Sequence, residues 1–362
     1  MANLLMITGD RSLAQGKRGA FYNTLEEFHK HWERIDIICP NVSGQRTTEL
    51  FGNVVVHPSP WPLIFQPFWI SKQGRRLFRE QRFDIMTVHE YPPFYNGLGA
   101  WLLHRITGLP YMLEVMHVPG FPKAGNLKER FYRWLMWSFI KYDARPARAV
   151  RVINKKQTPG FLVQAGVPKE KIIDIPAFYI DLAIFQPQML EKKYDAIFVG
   201  RLVENKGVYM FLDAVKKSGA TALLVGTGPE LSGIKKYIAH HDLSHKVTIH
   251  GWARDHQEVA SLLNRSRVLI MPSFNEGGPR VVLEAMACGV PVLATPVGIV
   301  PDIVPQQNHI PWDGEKIAQS LKHLLTDEQV YHQASEQGLQ TASLFEKEKA
   351  IRNYAEQIQK LV

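Results

Sequence analysis

Short apolar runs alternate with longer amphipathic stretches along the whole chain. Apolar runs bounded by helical stretches predict buried strands of parallel sheets that carry helices on both faces. In the first half the predicted strands are NLLMITG, RIDIICP, NVVVHP, FDIMTVHE, PYMLEVMH, AVRVIN and KIIDIPA. In the second half they are YDAIFVG, TALLVGTG, KVTIHGW, RVLIMPS and PVLATPVG. The predicted fold class is therefore α/β.

The strand pattern restarts at Tyr194, after a stretch without periodicity at 178–193 that is the natural linker. We therefore predict two doubly wound, Rossmann-like domains, at 1–182 and 183–345, that face each other across a cleft. In such sheets ligands bind at the carboxyl ends of the strands. The charged amphipathic helix predicted at 346–362 is a candidate to pack back on the N-terminal domain.

Composition excludes several classes of protein. Hydrophobic residues make up 45% and charged residues 21% of the 362 residues, which is typical of a soluble globular protein. No apolar run approaches the ~18 residues that a membrane-spanning helix needs, and MANLLMITGD reads as a first strand rather than a signal peptide. Two cysteines, Cys39 and Cys288, cannot make a disulfide framework and suit a reducing cytosol.

The net positive charge lies entirely in the first half of the chain. Residues 1–182 hold 24 Lys and Arg against 15 Asp and Glu, whereas residues 183–362 hold 19 against 19. The net charge of +9 therefore predicts that the first domain faces something anionic.

The segment 272–291, PSFNEGGPRVVLEAMACGVP, places two carboxylates around a predicted helix start. Glu276 lies in a turn, Pro279 suits a first helical position, and Glu284 lies about one turn into the helix. The helix is expected to stop at Gly289. Free backbone N–H groups at a helix start attract anions and hydroxyl oxygens. Carboxylates beside such amides suit a nucleotide-sugar, which combines hydroxyls with phosphate.

These motifs resemble the family 4 retaining glycosyltransferases, which have the two-domain GT-B fold. EGGPRVVLEAMACGVPV is similar to the E-x7-E signature of that family, and three further segments resemble its glycine-containing loops. These segments are VGRLVENKG at 199–207, VGTGPE at 225–230 and PVGIVPDIV at 296–304. GKRG at 16–19 and MHVPGFP match the first half more loosely. The resemblance covers nearly the whole chain, and its specificity is concentrated in residues 195–305.

The resemblance implies a role for each matching residue of the second half. Arg201 and Lys206 would bind the donor diphosphate and stabilise the charge of the departing nucleotide. Glu276 would contact the donor sugar, and Glu284 would accept hydrogen bonds from the ribose hydroxyls. The other residues expected to contact the donor are Gly200, Gly228, Gly277, Gly278 and Pro279. Alternatives stay open: Arg201 and Lys206 as solvated loop residues, and Glu284 as a glutamate favoured by the helix macrodipole.

In the first half, the resemblance implies that His117 lies near the reacting carbon and the acceptor, with His89 as a rival at another strand end. Gly16 and Gly19 should let the first loop approach the donor phosphates or the acceptor. Two basic residues separate these glycines where the family has adjacent glycines, which indicates an anionic acceptor group.

No cofactor is expected. The sequence has no D-x-D pair and no His, Cys and Asp cluster with metal-ligand spacing. We therefore predict that Arg201 and Lys206 replace a metal ion on the diphosphate, and that the enzyme works without added metal.

The acceptor prediction comes from aromatic and basic side chains that are mixed at 58–82, PSPWPLIFQPFWISKQGRRLFREQR, and again at 127–148. Such a mixture suits the surface of an anionic bilayer, although a helix at 127–148 could simply cover its sheet. No recognition motif supports nucleic acid as the partner. We predict a peripheral enzyme at the cytoplasmic face of a membrane.

The predicted function is the retaining transfer of a hexose-type sugar from a UDP-, GDP- or ADP-sugar to a lipid-linked acceptor in glycan or polysaccharide biosynthesis. Retention is implied by the resemblance, with attack from the leaving-group side. Four alternatives stay open: a soluble acceptor, a sugar-nucleotide 2-epimerase of the same fold, a non-catalytic nucleotide-sugar-binding protein and a dehydrogenase. The last is disfavoured because Leu231 stands at the third glycine position of the dinucleotide fingerprint.

Overall fold

The computed structural model describes residues 2–44 and 47–362, which form two compact units. The first unit consists of residues up to 118, 131–177 and 348–362, and the second of 119–130 and 178–347. The sequence places the domain boundary after residue 182, whereas the change of unit falls after residue 177. Each unit is built on its own sheet, and the predicted class, two Rossmann-like α/β domains, is confirmed.

The helices and strands follow the predicted alternation. Up to residue 177 they are β1 (Asn3–Ile7), α1 (Ala20–Phe28), β2 (Arg34–Cys39), β3 (Thr48–Leu50), β4 (Val54–Pro58), α2 (Gln66–Glu80), β5 (Ile85–His89), α3 (Tyr95–Thr107), β6 (Tyr111–Val115), α4 (Leu127–Ala144), β7 (Ala149–Val152), α5 (Thr158–Gln164) and β8 (Ile172–Asp174). From residue 178 onward they are β9 (Tyr194–Val199), α6 (Val208–Ser218), β10 (Ala222–Val225), α7 (Leu231–His240), β11 (Val247–Gly251), α8 (His256–Asn264), β12 (Ser266–Met271), α9 (Arg280–Ala287), β13 (Val292–Ala294), α10 (Val300–Ile303), α11 (Gly314–Thr326), α12 (Glu328–Ser343) and α13 (Lys347–Gln359).

The sheet of the first unit has eight strands in the order β3-β4-β2-β1-β5-β6-β7-β8. Every pairing is parallel except that of β3 with β4. The parallel sheet that the sequence predicts therefore has one antiparallel pairing, at this edge. Phe51 and Gly52 both have positive φ, which turns the chain back tightly enough for the short β3 to pair with β4.

The sheet of the second unit has five strands, all parallel, in the order β11-β10-β9-β12-β13. The order reverses between β9 and β12, and that is where ligands bind in doubly wound sheets. On one face of this sheet, Phe198 and Leu224 are buried in one hydrophobic core with Phe211 and Leu321 of its helices. On the other face, Ile197 and Leu223 are buried as well. The sheet presents the ends of β9 and β12 next to each other.

The helix α13 closes the first unit. The ring of Tyr354 stacks on Phe28 with centroids 4.8 Å apart, and its hydroxyl donates to Glu114 Oε1 at 2.7 Å. Burial would raise the pKa of Glu114, but neighbouring His89 and Arg151 outweigh it and hold that pKa at about 2. The last helix is thus tied to a buried, ionised carboxylate in β6. Within residues 2–44 and 47–362, no helix combines the length and the apolar character needed to span a bilayer.

Candidate functional site

The loop between β12 and α9 is built as the E-x7-E segment predicts, with one difference. Pro279 is not the first helical residue but the cap before it: its backbone is extended, and its carbonyl accepts a hydrogen bond from Val282 N at 3.1 Å. Glu284 therefore lies four residues after the helix start at Arg280, about one turn in. The predicted stop is at Gly289, whose φ of +68° is characteristic of a glycine that ends a helix.

Lys206 and Glu276 meet in the second unit. Lys206 ends a short 3-10 turn after β9, and its ammonium donates a hydrogen bond to Glu276 Oε1. The two side chains are only 20% and 14% exposed, so the pair is partly shielded from water. Gly207 makes this meeting possible: it has a φ of +68°, and a Cβ there would lie 2.2 Å from the carbonyl oxygen of Pro272. Only glycine allows the two loops to approach this closely.

The loop after β9 also carries Arg201, which is exposed. No ion pair or hydrogen bond of its side chain is found among the residues that the structure describes. Its backbone is fixed by two glycines of the next strand end: a Cβ on Gly226 would lie 1.8 Å from the Gly200 carbonyl oxygen, and one on Gly228 2.3 Å from that of Leu202. Gly226 and Gly228 therefore act first as close-approach positions between neighbouring strand ends, whereas a Cβ on Gly200 would meet nothing closer than Phe198 Cε1 at 3.7 Å.

The turn formed by Gly277 and Gly278 before α9 is enclosed on two sides. A Cβ on Gly278 would lie 1.5 Å from the Cζ atom of Phe178, so this ring occupies the space that any side chain there would need. The carbonyl of Gly277 lies 2.2 Å from the Cβ position of Gly298, which has a φ of +57°. Phe178 lies in the segment that the sequence showed only as a linker, and no local pattern marked its ring as part of this site.

The surroundings of Glu284 in α9 change its ionisation. Burial raises its pKa to about 7, and Arg280 opposes this rise only in part. Near neutral pH the side chain is therefore divided between a hydroxyl that donates and a carboxylate that accepts. The sequence predicted the position of Glu284 but gave no sign of this pKa.

In the first unit, His117 lies two residues beyond β6 and is half-buried. The rival His89 is held at both ring nitrogens: Nε2 lies 2.9 Å from Glu114 Oε2, and Nδ1 lies 3.1 Å from Thr8 Oγ1. This arrangement favours a structural role for His89. Glu114 is not among the predicted residues, although a single glutamate inside the apolar strand PYMLEV is itself a signal of a buried ion pair.

The first loop leaves open space at both of its predicted glycines. Gly16 has a φ of +69°, Gly19 precedes α1, and a Cβ on either would meet nothing within 4 Å. Of the two basic residues between them, Arg18 lies over the ring of Tyr22 at 5.3 Å. No group of three or more His, Cys, Asp and Glu side chains in 2–44 and 47–362 is placed to hold a metal ion. Activity without metal stays a prediction.

The basic and aromatic stretch at 58–82 forms a surface groove of about 670 Å³ on α2 and α3. Its lining consists of Phe68, Ser71, Lys72, Arg75, Arg76, Arg79, Glu80 and Ile106. Phe68 is 60% exposed, but Ile70 is buried, and Trp61 and Trp69 pack edge to face against each other. Only part of the predicted aromatic cluster is therefore available to a partner.

The helix α4, at the start of the second mixed stretch, is more exposed than a helix that only covers a sheet. Five of its aromatic side chains are between 43% and 61% exposed. They are Phe131, Trp134, Trp137, Phe139 and Tyr142. This face adds aromatic surface to the first unit, where the sequence also concentrates the positive charge.

The family model described as "Glycosyl transferases group 1" matches residues 180–341 of this chain. N-acetyl-alpha-D-glucosaminyl L-malate synthase of Bacillus anthracis is 31% identical over 347 residues, or 89% of this chain and 84% of that protein. UDP-Gal:alpha-D-GlcNAc-diphosphoundecaprenol alpha-1,3-galactosyltransferase of Escherichia coli is 23% identical over 61% of this chain and 59% of that protein. The chain spans between 60% and 69% of the length of three other curated relatives.

Two solved structures share the fold over nearly all of the chain. Sucrose-phosphate synthase from Thermosynechococcus elongatus has a TM-score of 0.80 at 18% identity, and the match covers 100% of this chain and 99% of that one. Anabaena Alr3699/HepE, in complex with UDP and glucose, has a TM-score of 0.71 at 17% identity, with coverage of 99% and 100%. These similarities assign the GT-B fold.

Proposed function

Because this chain belongs to the family 4 glycosyltransferases, the glycosyl transferases of group 1, we propose that it transfers a hexose-type sugar, with retention, from a nucleotide-sugar to a lipid-linked acceptor. That it is a nucleotide-sugar-dependent glycosyltransferase of glycan biosynthesis follows from the family. The observation that supports the donor site of this proposal is the contact between Lys206 and Glu276, which joins a cation to a carboxylate beside a helix start.

In the proposed donor site, Lys206 and Arg201 bind the diphosphate, Glu276 contacts the sugar, and Glu284 binds the ribose hydroxyls. The ammonium of Lys206 is partly shielded, and a fixed cation in such surroundings stabilises a departing diphosphate more than a solvated one. Glu276 holds Lys206 in place before the donor arrives. UDP is supported as the first nucleotide to test, because the structural neighbour HepE is described in complex with UDP and glucose.

We propose that the acceptor hydroxyl attacks from the side of the leaving group, and that the departing phosphate takes its proton. His117 is proposed to lie near the reacting carbon. Retention is tested by NMR of the anomeric proton in the product, where an inverted configuration would refute it. Incubation of the donor without acceptor separates transfer from epimerisation, since an epimerase would change the donor alone.

The donor site is tested by thermal shift with UDP-, GDP- and ADP-sugars on wild type and on the Lys206→Ala and Glu276→Ala variants. A ligand that binds only the folded protein raises the melting temperature. We expect the sugars of one nucleotide to raise the melting temperature of the wild type. The same sugars should raise the melting temperature of both variants much less. The exposed Glu191 serves as the matched control, as Glu191→Ala. Equal shifts of the melting temperature in all four proteins would show that Lys206 and Glu276 do not belong to the donor site.

For the acceptor, we propose an anionic bilayer surface against the groove on α2 and α3. Lys72, Arg75, Arg76 and Arg79 line the groove together with the exposed ring of Phe68. Each basic side chain near an anionic membrane contributes about 1 kcal/mol, so four would contribute about 4 kcal/mol. A surface of this kind would place the enzyme beside a lipid-linked acceptor, such as the diphosphoundecaprenol named for the Escherichia coli relative.

Flotation with vesicles of phosphatidylglycerol and phosphatidylcholine tests this surface. We expect the wild type to float and the Arg75→Ala, Arg76→Ala double variant to lose about tenfold or more of its partition coefficient, since two charges are removed. The control is Lys235→Ala, Lys236→Ala, two exposed lysines of α7. If wild type stays in the dense fraction, or the control loses as much as the test variant, the membrane proposal fails.

A second candidate acceptor is a small soluble hydroxy acid. It is supported by the relative with 31% identity, which is named as an N-acetyl-alpha-D-glucosaminyl L-malate synthase, and by Lys17 and Arg18 in the first loop, which suit a carboxylate. Incubation with UDP-N-acetylglucosamine and L-malate, followed by mass spectrometry, separates the two. Formation of a glycosyl malate by a protein that does not float would replace the lipid-linked acceptor with a soluble one.

A further inference from the structure

Residues 119–130, which we name the strap, belong to the second unit although the residues on either side of them belong to the first. The strap follows directly after His117 and Val118 in the chain. Several of its contacts within the second unit fall on the loop that carries Glu276. They are polar, aromatic and steric in turn.

The polar contact centres on Asn275, the residue before Glu276. Its side chain is 1% exposed, and its Nδ2 donates to the carbonyl of Lys123 at 3.0 Å and to Glu129 Oε2 at 2.8 Å. The same Glu129 oxygen accepts a hydrogen bond from Gly125 N at 2.8 Å. Both hydrogens of the Asn275 amide are therefore used by the strap, and this buried side chain cannot turn without leaving a polar group unsatisfied.

The aromatic contact involves the two residues before Asn275. The ammonium of Lys123 lies 4.9 Å from the ring centre of Phe274 and 5.0 Å from that of Trp312. Trp312 in turn donates from Nε1 to the carbonyl of Ser273 at 2.9 Å. Three consecutive residues of the loop, from Ser273 to Asn275, are thus held by the strap or by a ring that the strap contacts.

The steric contact reaches the loop that carries Lys206. A Cβ on Gly125 would lie 3.3 Å from Phe274 Cδ2 and 3.6 Å from Cα of Asn205. The backbone N–H of Phe274 donates to the carbonyl of Asn205 at 2.8 Å. The strap therefore contacts the residue before Lys206 as well as the residue before Glu276.

We propose that Asn275 and Glu129 are positioning residues for the transfer, which hold Glu276 in the geometry that the donor sugar requires; this rests on the donor site proposed above. Reacting groups that are displaced by about 1 Å lose on the order of a hundredfold in rate. Neither Asn275 nor Glu129 touches the donor in this proposal. Their effect passes through the backbone of the loop to the carboxylate of Glu276.

The experiment compares Asn275→Ala, Glu129→Ala and Glu129→Gln with the control Glu191→Ala, using UDP-glucose and UDP as probes. We expect both alanine variants to lower kcat with UDP-glucose by about 10- to 100-fold. The Kd of UDP alone should change by less than about threefold, since UDP does not use Glu276. Glu129→Gln keeps an oxygen that accepts from Asn275, and it should recover most of the activity.

Lys206→Ala is measured beside these variants, because it separates a failure of the proposed donor site from a failure of the strap inference. If that variant binds UDP as tightly as the wild type, the donor site itself is wrong. If Lys206→Ala binds UDP more weakly than the wild type while the strap variants keep the wild-type kcat, the strap inference is overturned. A fall in melting temperature without a fall in kcat also overturns it, because that is the result of a merely structural role. Should Asn275→Ala not fold, Lys123→Ala removes the ring contact from an exposed position and is expected to lower kcat in the same way.

Discussion

Replacement of Glu284 by glutamine should make the protein more stable and a weaker binder of nucleotide. Glu284 has an ordinary pKa of 4.5 when unfolded, and burial raises its pKa to about 7 in the fold, against the opposing effect of Arg280. Glutamine keeps the shape and cannot ionise. The difference in unfolding free energy between the two proteins therefore isolates the cost of a buried carboxylate.

The sign of this stability difference follows from the direction of the pKa shift of Glu284. Because the folded pKa is raised, the contribution of Glu284 to the stability of the wild type is fully present below pH 4.5 and is lost as the pH rises through 7. One pKa unit corresponds to about 1.4 kcal/mol, so a shift from 4.5 to about 7 corresponds to about 3 kcal/mol. The side chain of Glu284 keeps some exposure, and solvent reduces this value to about 2 kcal/mol.

The assay is urea denaturation of wild type and Glu284→Gln at pH 5, 6, 7 and 8, with the exposed Glu191→Gln as control. We expect Glu284→Gln to gain about 2 kcal/mol over the wild type at pH 8 and to match it near pH 4.5. Parallel stability curves from pH 5 to pH 8 would refute the buried, ionising carboxylate.

The same pKa predicts how nucleotide binding depends on pH. A carboxylate with a pKa of about 7 is about one-tenth ionised at pH 6 and about nine-tenths ionised at pH 8. If the ionised Glu284 binds the ribose hydroxyls, the Kd of UDP should improve about tenfold over this range in the wild type. The Gln variant should lack this tenfold component, while the titration of UDP itself affects both proteins equally. If calorimetry gives the wild type and Glu284→Gln the same dependence of the UDP Kd on pH, Glu284 does not bind the ribose.

Three further predictions concern the proposed donor site. Lys206→Ala should lower kcat about 10²- to 10³-fold, and Lys206→Arg less, because the loss is that of a fixed charge at the leaving group; an alanine variant with wild-type turnover would exclude that role. Gly278→Ala should cost about 1–3 kcal/mol of unfolding free energy, since the added methyl would overlap the Phe178 ring, and Phe178→Leu in the same chain should return part of it. Treatment with EDTA should leave turnover unchanged; a loss that magnesium restores would show that the cations of the loop do not replace a metal.

Much of the fold could be predicted because it depends on local patterns. Each predicted apolar run became a strand, and Gly289 ended the helix α9 with the positive φ that favours glycine there. The strand β3 could not be predicted, because its three residues, TEL, have no apolar periodicity and are defined only by pairing with β4. Pro279 was placed one position too far into the helix, since the choice between cap and first turn depends on which carbonyl meets Val282 N.

By itself the sequence determined the class of the protein, two α/β domains with carboxylates at 276 and 284, because hydrophobic period and helix signals act over a few residues. Only the tertiary structure decided which groups work together. Lys206 and Glu276 are 70 positions apart and meet because Gly207 lets two strand ends approach. The strap reaches Asn275 from about 150 positions away, and the burial that raises the pKa of Glu284 exists only once the chain is packed.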